Sequence, residues 1–435
     1  MVPRIRAHTW SLAAACIAVL LSLAAVRPLC AQEEYNEPPP KPGSFEADTL
    51  PAKSYIVPDV KAKDKKKVFI ESSWFKLKPQ LVILEDYDAF TQDSASIAQV
   101  GKQKDQWDSR AFRFMLAGSI GSSYKVGYLF AVNYNGFNAN ATQPWSWYDI
   151  SFTFPLAGPA TTLTVGKTKE TYLYEMVADA ANLPQQERSL DPFFQARSVG
   201  LRVNQVFGER HTSELSGGIY NDSWVNGGGL KTSATNFTAR YTWVAFDRPD
   251  KHRWIHLGIS ARWEGTPNDT MVFAGRPVSH VSSLYVNTLG FAADHSLNAG
   301  LEAFWNERGF SLLGEYARAW VHAPASGDPV FDGWYAAASW FLLGEQRPYD
   351  RTKGYARRVV PLDRWGAPEL VAQFTHVNLD DAAIHGGSYD RFGLGINWWA
   401  TYGWKIGFGW GYIKNYQDGV TGITNSFQWR LQWVI

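Results

Sequence analysis

Basic side chains recur on the polar face of segments in which apolar and polar residues alternate. Arginine is well suited to bind oxyanions, because its planar guanidinium offers paired hydrogen-bond donors in a fixed geometry. In a narrow aqueous channel, rings of such cations admit anions, whereas rings of carboxylates admit cations. The alternation places the following basic residues on polar faces: Arg113, Arg202, Arg240, Arg262, Lys405 and Arg430.

Acidic residues share these polar faces, at Glu264, Glu302 and Glu315. The basic residues outnumber them, which favours a surface that attracts anions. The alternative is that each arginine pairs with an acid on a neighbouring strand and leaves a lining without net charge. The sequence leaves both interpretations open.

The elements that would hold these residues are β-strands of about ten residues, because a residue period of two is the strand signature. The clearest run is 404–412, and the run 427–435 repeats its design. In the first run, Trp404, Ile406, Phe408, Trp410 and Tyr412 share one face, opposite Lys405, Gly407, Gly409 and Gly411. One face is therefore broad and apolar, and the other is small and polar.

Alternation alone fits either a soluble antiparallel sandwich or a transmembrane barrel with its apolar face outward. Aromatic residues make up 15% of the chain and include 20 Trp, as in barrels with aromatic girdles at both membrane interfaces. The opposite faces carry Arg, Glu and Gly in strands long enough to cross a bilayer at a tilt. The sequence therefore predicts an all-β transmembrane antiparallel barrel.

Seventeen candidate strands lie between Phe69 and Ile435. Single-chain bacterial barrels have an even number of strands. The run 281–292 alternates most poorly and ends in Ala292-Ala293-Asp294, so we assign it to a loop. The prediction is a barrel of about 16 strands over residues 68–435.

Two segments precede the predicted barrel. Residues 1–31 read as a signal peptide, with Arg4 and Arg6 before an apolar run and a plausible cleavage site at its end. Residues 32–67 are rich in Pro and Lys and read as a flexible arm. No later segment reaches the roughly 20 apolar residues of a transmembrane helix.

Both cysteines, Cys16 and Cys30, lie in the predicted leader, so no disulfide framework is expected. Without Arg4, Arg6 and Arg27, basic residues fall from 42 to 39 against 41 acidic ones. This near balance gives no sign of nucleic-acid binding. The sequence calls for no cofactor.

Four stretches resemble the family of phosphate-selective porins O and P. They are Gly333-Trp334-Tyr335 with Leu343 to Tyr349, Trp365 to Leu370, Leu394 to Trp398, and Gly166-Lys167 through Lys169-Glu170 with Glu187-Arg188. The resemblance implies a 16-stranded barrel, a homotrimer, and a third extracellular loop that folds into the lumen. The chain departs from the family pattern at Gln373-Phe374, where Arg-Tyr is usual, and at the terminal Ile435.

Mapped by position, the inward loop is roughly 167–197. Its candidate constriction residues are Lys167, Lys169, Arg188 and Arg197, with Glu170, Glu175, Glu187 and Asp191 steering or pairing them. The alternative for any one of these residues, such as Glu187 with Arg188, is that it only braces the loop against the wall.

Other chemistry has little support. The nine His residues lie far apart without metal-ligand spacing, and no Gly-x-Ser-x-Gly motif marks a hydrolase, so neither a metal site nor an enzyme is expected. The predicted function is an outer-membrane porin, exported through the periplasm, which contacts lipid and passes small anionic or neutral solutes. A sugar-selective or non-specific porin and a structural or binding barrel without a conducting pore are the alternatives.

Overall fold

The computed structural model describes residues 70–137, 144–157, 160–208, 211–223, 233–248, 253–266, 268–277 and 279–435. The predicted leader and arm lie outside these residues. Sixteen antiparallel strands form a closed barrel, in which each strand pairs with the next and the last pairs with the first. The predicted fold class and strand number are confirmed.

Each of the sixteen strands matches one predicted run. Their bounds are β1 Phe75–Gln92, β2 Gln106–Ile120, β3 Val126–Tyr134, β4 Trp145–Pro155, β5 Thr161–Thr168, β6 Ser198–Phe207, β7 Ser213–Asn221, β8 Thr235–Arg248, β9 Arg253–Gly265, β10 His295–Glu307, β11 Phe310–His322, β12 Val330–Phe341, β13 Ala367–Asp381, β14 Ile384–Trp399, β15 Trp404–Gln417 and β16 Val420–Val434. The excluded run contributes only two-residue strands, Val286–Asn287 and Phe291–Ala292, outside the barrel wall.

The largest difference from the predicted runs is in the first strand. Its candidate run is near 72–85, but β1 continues to Gln92. Asp86 and Asp88 follow the candidate run in the sequence, and both are buried side chains on the inner face of the strand. Acidic residues inside a barrel occupy the polar positions of the alternation, so they do not end a strand.

The outer wall is apolar and aromatic. Exposed outward side chains include Trp145, Trp305, Trp340, Trp398 and Trp429. None of the helices in the described part of the chain combines the length and apolarity needed to cross a bilayer. The two α-helices there are short: α1 spans Ser94–Val100 and α2 spans Tyr174–Val177.

Three long connections fold into the barrel. Loop L3 (169–197) and loop L5 (266–294) start from the extracellular end, which is opposite the end where β1 begins and β16 finishes. Turn T6 (342–366) starts from the periplasmic end, where such turns are usually short. T6 forms a small hairpin in which Tyr349–Asp350 pairs with Tyr355–Ala356.

These connections fill one side of the lumen with an apolar core. The core joins L3, L5 and T6 to the inner faces of β8 to β15, and its fully buried members include Tyr172, Leu173, Tyr174, Phe193, Phe304, Phe331, Tyr335 and Tyr389. Such burial in a barrel lumen removes that volume from any water-filled passage.

Glycines on the inner wall provide sockets for L3. A Cβ added at Gly333 would lie 2.8 Å from the Phe193 ring and 3.1 Å from the Leu190 side chain. A Cβ added at Gly300 would lie 2.5 Å from the Leu173 side chain. The small residues of the polar strand faces thus allow the loop to pack directly against the wall.

Candidate functional site

The residues that best fit a solute pathway surround Tyr148 on the inner face of β4. The guanidinium carbons of Arg113 and Arg197 each lie 3.5 Å from the centroid of the Tyr148 ring. Arg110 and Arg188 also interact electrostatically with Tyr148. Strand β2 and the C-terminal part of L3 thus bring four arginines around one phenol ring on β4. Contact between guanidinium groups and an aromatic ring is favourable, particularly where water is excluded.

Two of these arginines, and Arg202 on the neighbouring part of the inner wall, lack an acidic partner in the described part of the chain. Among the described residues, Arg113, Arg188 and Arg202 have no carboxylate within 4 Å. The Arg188 Nε donates 2.6 Å to the Glu175 carbonyl, and Arg202 donates to the Lys169 carbonyl at 3.4 Å. Carbonyl oxygens satisfy donors without cancelling the charge, so this surface keeps a positive potential.

Two other members of the cluster are paired. The Arg197 Nε donates 3.0 Å to Asp149 Oδ1. Arg110 makes two parallel hydrogen bonds to the Glu187 carboxylate, at 2.9 and 3.1 Å. The bidentate pair holds the Arg110 guanidinium in a fixed orientation.

The basic surface continues toward T6. The Lys169 Nζ donates to the carbonyls of Val177 and Ala178 at 3.0 and 2.8 Å and lies 3.6 Å from Asp179. Burial lowers the pKa of Lys169 to about 8, although Asp179 opposes the shift. Asp179 also lies 3.8 Å from Arg357, and Lys353 interacts with it electrostatically. T6 thus places two further cations, Lys353 and Arg357, on the periplasmic side of the cluster.

The pKa of Asp179 is lowered by these neighbours. Burial alone would raise the pKa, but Lys169, Arg357 and Lys353 together outweigh burial and favour the carboxylate.

Lys167, at the end of β5, donates 2.9 Å from Nζ to the Trp147 carbonyl.

The other basic residues that the alternation placed inward do point inward, but they are buried against L3, T6 and the wall. Arg240 is 1% exposed and pairs with Glu302 at 2.8 Å and with Glu214 at 3.6 Å. Arg262 is 3% exposed and pairs with Glu170 at 2.7 Å and Glu264 at 2.5 Å. Since Glu170 belongs to L3, Arg262 fastens the start of that loop to β9.

Lys405 and Arg430 contact L3 at Leu183 and Glu187. The Lys405 Nζ donates 3.2 Å to the Leu183 carbonyl and lies 4.6 Å from the ring of the buried Trp399. Arg430 pairs with Asp86 at 2.5 Å and also with Glu187. Arg430 is neutralised by its two carboxylates, whereas Lys405 is buried and acts as an anchor through the Leu183 carbonyl.

Glu187 therefore joins two wall arginines, Arg110 on β2 and Arg430 on β16. Burial would raise the pKa of Glu187, but the two guanidinium groups hold it well below its usual range. The carboxylate stays ionised and pins L3 at the point where it passes the basic cluster.

A second anchor is built from backbone donors. Glu315 accepts hydrogen bonds from the backbone N–H groups of Tyr174 and Glu175, at 2.5 and 2.9 Å, and from the Tyr335 hydroxyl at 2.6 Å. Glu175 in turn accepts from the backbone N–H groups of Ser189 and Leu190. Glu315 thus ties L3 to β11, and Glu175 joins two parts of L3 to each other.

Two residues that sequence reasoning missed, Arg110 and Tyr148, occupy β-bulges. The β1–β2 register passes from Leu84↔Ala111 to Glu85↔Ser109 and leaves Arg110 as the extra residue. The β3–β4 register skips Tyr148 in the same way. A bulge adds a residue to one strand and re-aims its side chain, so strict alternation cannot find it.

A family model described as phosphate-selective porin O and P matches residues 85–435. Comparison with curated proteins finds no match.

Solved outer-membrane barrels share the fold. The outer membrane channel DcaP of Acinetobacter baumannii is 10% identical, with a TM-score of 0.56 over 84% of this chain and 99% of that one. The anion-selective porin from Comamonas acidovorans is 12% identical, with a TM-score of 0.54 over 82% and 100%. OmpT of Vibrio cholerae in its trimer form is 10% identical, with a TM-score of 0.51 over 83% and 100%.

At these identities the structural similarity shows a common fold, and the family match extends over most of the chain. The chain therefore belongs to the phosphate-selective porin O and P family and is an outer-membrane porin.

Proposed function

We propose that this porin favours small anions, including oxyanions such as phosphate, and passes them between L3 and strands β2 to β6. The observation that carries the proposal is the group of three cations without a carboxylate within 4 Å among the described residues: Arg113, Arg188 and Arg202. They lie beside Arg110, Arg197 and Lys169 on a partly exposed inner surface. An uncompensated positive surface in a narrow aqueous passage raises the local concentration of anions.

The proposed passage lies to one side of the barrel. Inward residues on β2 and β6, such as Arg113 and Arg202, are partly exposed, whereas those on β8 and β9, such as Arg240 and His256, are buried beneath L3 and T6. Solutes would pass the Tyr148 cluster and then Lys169, Lys353 and Arg357. The buried cations Arg240, Arg262, Lys405 and Arg430 would act on this passage only by holding L3 in place.

The comparisons support the same preference. The matching family is described as phosphate-selective, and one barrel of the same fold is an anion-selective porin. The residues that bear on the proposal in this chain are its own unpaired arginines, since the identity to that porin is only 12%.

The experiment is reconstitution of the protein in a planar bilayer with a KCl gradient. We expect a reversal potential of the sign set by chloride, and a fall in chloride current when inorganic phosphate is added. A reversal potential set by potassium would overturn the proposal. Block by maltose without block by phosphate would favour a sugar-selective porin.

A barrel without a conducting pore is the second candidate, because L3, L5 and T6 together fill much of the lumen. L5 crosses toward β16 and the connection between β1 and β2, where Tyr285 donates 3.0 Å to the Thr424 hydroxyl and the Ser283 backbone N–H donates 2.9 Å to Gln103. Absence of any conductance from correctly folded protein would support a structural or binding role.

We also propose a homotrimer. Strands β3, β5 and β7 have 9, 8 and 9 residues, at or below the 9 to 11 that a tilted transmembrane strand needs. Contact with neighbouring subunits would cover this low part of the wall, and OmpT of Vibrio cholerae has a trimer form. Light scattering of the detergent-solubilised protein should give three chains per particle, and a single chain would contradict the proposal.

A further inference from the structure

Arg391 is a charged side chain inside the barrel that the cluster around Tyr148 does not include. It lies on β14, in register with Thr375 on β13 and Ile413 on β15. A Cβ added at Gly393 would lie 2.9 Å from both terminal nitrogens of Arg391, and one at Gly411 would lie 2.9 Å from its Nε. The two glycines therefore leave room for the guanidinium to lie close against the wall.

The hydrogen bonds of this guanidinium are incomplete. Its Nη1 donates 2.7 Å to Gln373 Oε1. Its Nε is buried without a partner, and Nη2 donates to no described residue. No carboxylate of the described residues lies within 4 Å. A cation withdrawn from bulk water without a counterion is costly to the fold, unless an anion from solution supplies the missing acceptors.

The position of Arg391 separates it from the constriction. Gln186 of L3 lies against the wall at Gly407, where an added Cβ would be 2.7 Å from its Nε2. Along β15, Gly407 is nearer the periplasmic end than Gly411, which touches Arg391. A solute that enters from outside would therefore reach Arg391 before it reaches Gln186.

We propose that Arg391 forms an anion-binding position of its own, for an oxyanion such as inorganic phosphate, on the extracellular side of Gln186. The proposal rests on the proposed anion preference of the porin and names a second place where the anion is held. The partly exposed guanidinium, its free donors and the glycine floor are the features that suit a tetrahedral oxyanion.

A purely structural role is the competing explanation. The Gln373 Nε2 donates 2.6 Å to the Ser189 hydroxyl, so Arg391 also orients a glutamine that holds L3. The two roles predict different effects, because only the binding role depends on the charge and on the side from which the anion arrives.

The experiment measures phosphate block of the chloride current in single reconstituted channels, with phosphate added to each side in turn. We expect Arg391→Gln to weaken the block from the extracellular side about tenfold, the equivalent of losing one charge-assisted hydrogen bond, and to leave the block from the other side unchanged. Arg391→Lys should keep most of the extracellular block, because it retains the charge. Arg318→Gln, on the outer face of β11, is the matched control and should behave as the wild type.

Three results would overturn the site. The first is an unchanged phosphate block in Arg391→Gln, and the second is an equal loss of block from both sides. The third is a loss of block in Arg391→Lys as large as in Arg391→Gln, together with faster trypsin cleavage after Arg188, which would indicate that L3 is displaced. The proposed function fails separately, if the wild-type channel prefers potassium in a KCl gradient.

Discussion

At the scale of single residues, the charge of Arg113 should contribute directly to anion preference. Arg113 is packed against Tyr148 and has no acid within 4 Å among the described residues. A unit charge a few ångströms from a passing ion contributes on the order of 1 kcal/mol at a dielectric between those of protein and water. Arg113→Gln should therefore lower the chloride-to-potassium permeability ratio about fivefold, as measured by reversal potentials.

The control for this change is Arg318→Gln, which removes the same charge from the outer wall. Its guanidinium lies near Trp320, on the lipid-facing side of β11. The permeability ratio of this variant should match that of the wild type. An equal decrease in both variants would mean that net charge, rather than the lumen surface around Tyr148, sets the selectivity.

Lys169 should make the anion preference depend on pH. Burial lowers its pKa to about 8, so the ammonium is charged at pH 7 and largely neutral at pH 9. The chloride-to-potassium permeability ratio should therefore fall between pH 7 and pH 9. Reversal potentials recorded across this range would show the step.

Two substitutions assign the step to Lys169. Lys169→Arg keeps its charge at pH 9 and should give a flat, high profile, whereas Lys169→Met should give a flat, low one. A step that persists in Lys169→Met would assign the titration to another group.

At the scale of elements, the carboxylate of Glu187 should decide how firmly L3 is held. Loss of one partner of a buried ion pair costs about 3 kcal/mol, because the remaining charge is left uncompensated. In Glu187→Gln, both Arg110 and Arg430 lose the L3 carboxylate, and Arg110 is left without a carboxylate partner among the described residues. Local opening of L3, read as trypsin cleavage after Arg188, should become about a hundredfold faster.

Glu307→Gln tests whether any lost ion pair has this effect. Glu307 pairs with Arg253 at 2.5 Å at the periplasmic rim, and both side chains are partly exposed. An exposed pair contributes little, so cleavage after Arg188 should keep its wild-type rate. No acceleration in Glu187→Gln would show that backbone contacts such as those of Glu315 suffice to hold L3.

The sequence predicted the wall far better than the contents of the barrel. Alternation located all sixteen strands, because each strand has one face toward lipid and one toward the lumen. It could not show that T6 covers Arg240 and that L3 covers Arg262, because the contacting residues Gly354 and Glu170 come from distant segments. Arg110 and Tyr148 were missed because a bulge shifts the phase of alternation.

Turn T6 was missed for a different reason. The stretch around Glu345 and Arg347 was recognised only as a family motif, and its composition resembles that of an ordinary polar turn. Arg347 is in fact buried and bonded to Glu369 and to the Asn182 carbonyl of L3. The direction in which a connection folds depends on distant contacts that periodicity does not record.

At the scale of the whole molecule, the wall and its contents are separate structures. The wall is a closed ladder of backbone hydrogen bonds between neighbouring strands. The backbone N–H and C=O groups of the strands are therefore paired in lipid without any contact from the lumen. The contents are held by side-chain contacts such as Arg240 to the Gly354 carbonyl at 2.7 Å and Arg351 to Asp247 at 2.6 Å. Removing one of the inserted segments should therefore leave the barrel folded.

Turn T6 offers the cleanest case. The β12–β13 ladder reaches Phe341↔Glu369, and the Leu342 backbone N–H donates 3.0 Å to the Pro368 carbonyl. The ends of T6 are therefore adjacent, and residues 344–365 can be replaced by a short Asn-Gly turn. The shortened protein should keep the heat-dependent gel shift of a folded barrel and should conduct more current per channel, because the T6 hairpin no longer fills the lumen.

The ion selectivity of the same variant tests where the passage runs. Removing T6 also removes Lys353 and Arg357, so the chloride-to-potassium permeability ratio should fall while the conductance rises. Double substitution of Lys353 and Arg357 by Gln in the full-length chain is the matched control, and it should lower the ratio without raising the conductance. An unchanged conductance in the shortened protein would show that L3 and L5 alone set the width of the passage, and loss of the gel shift would show that the wall depends on its contents.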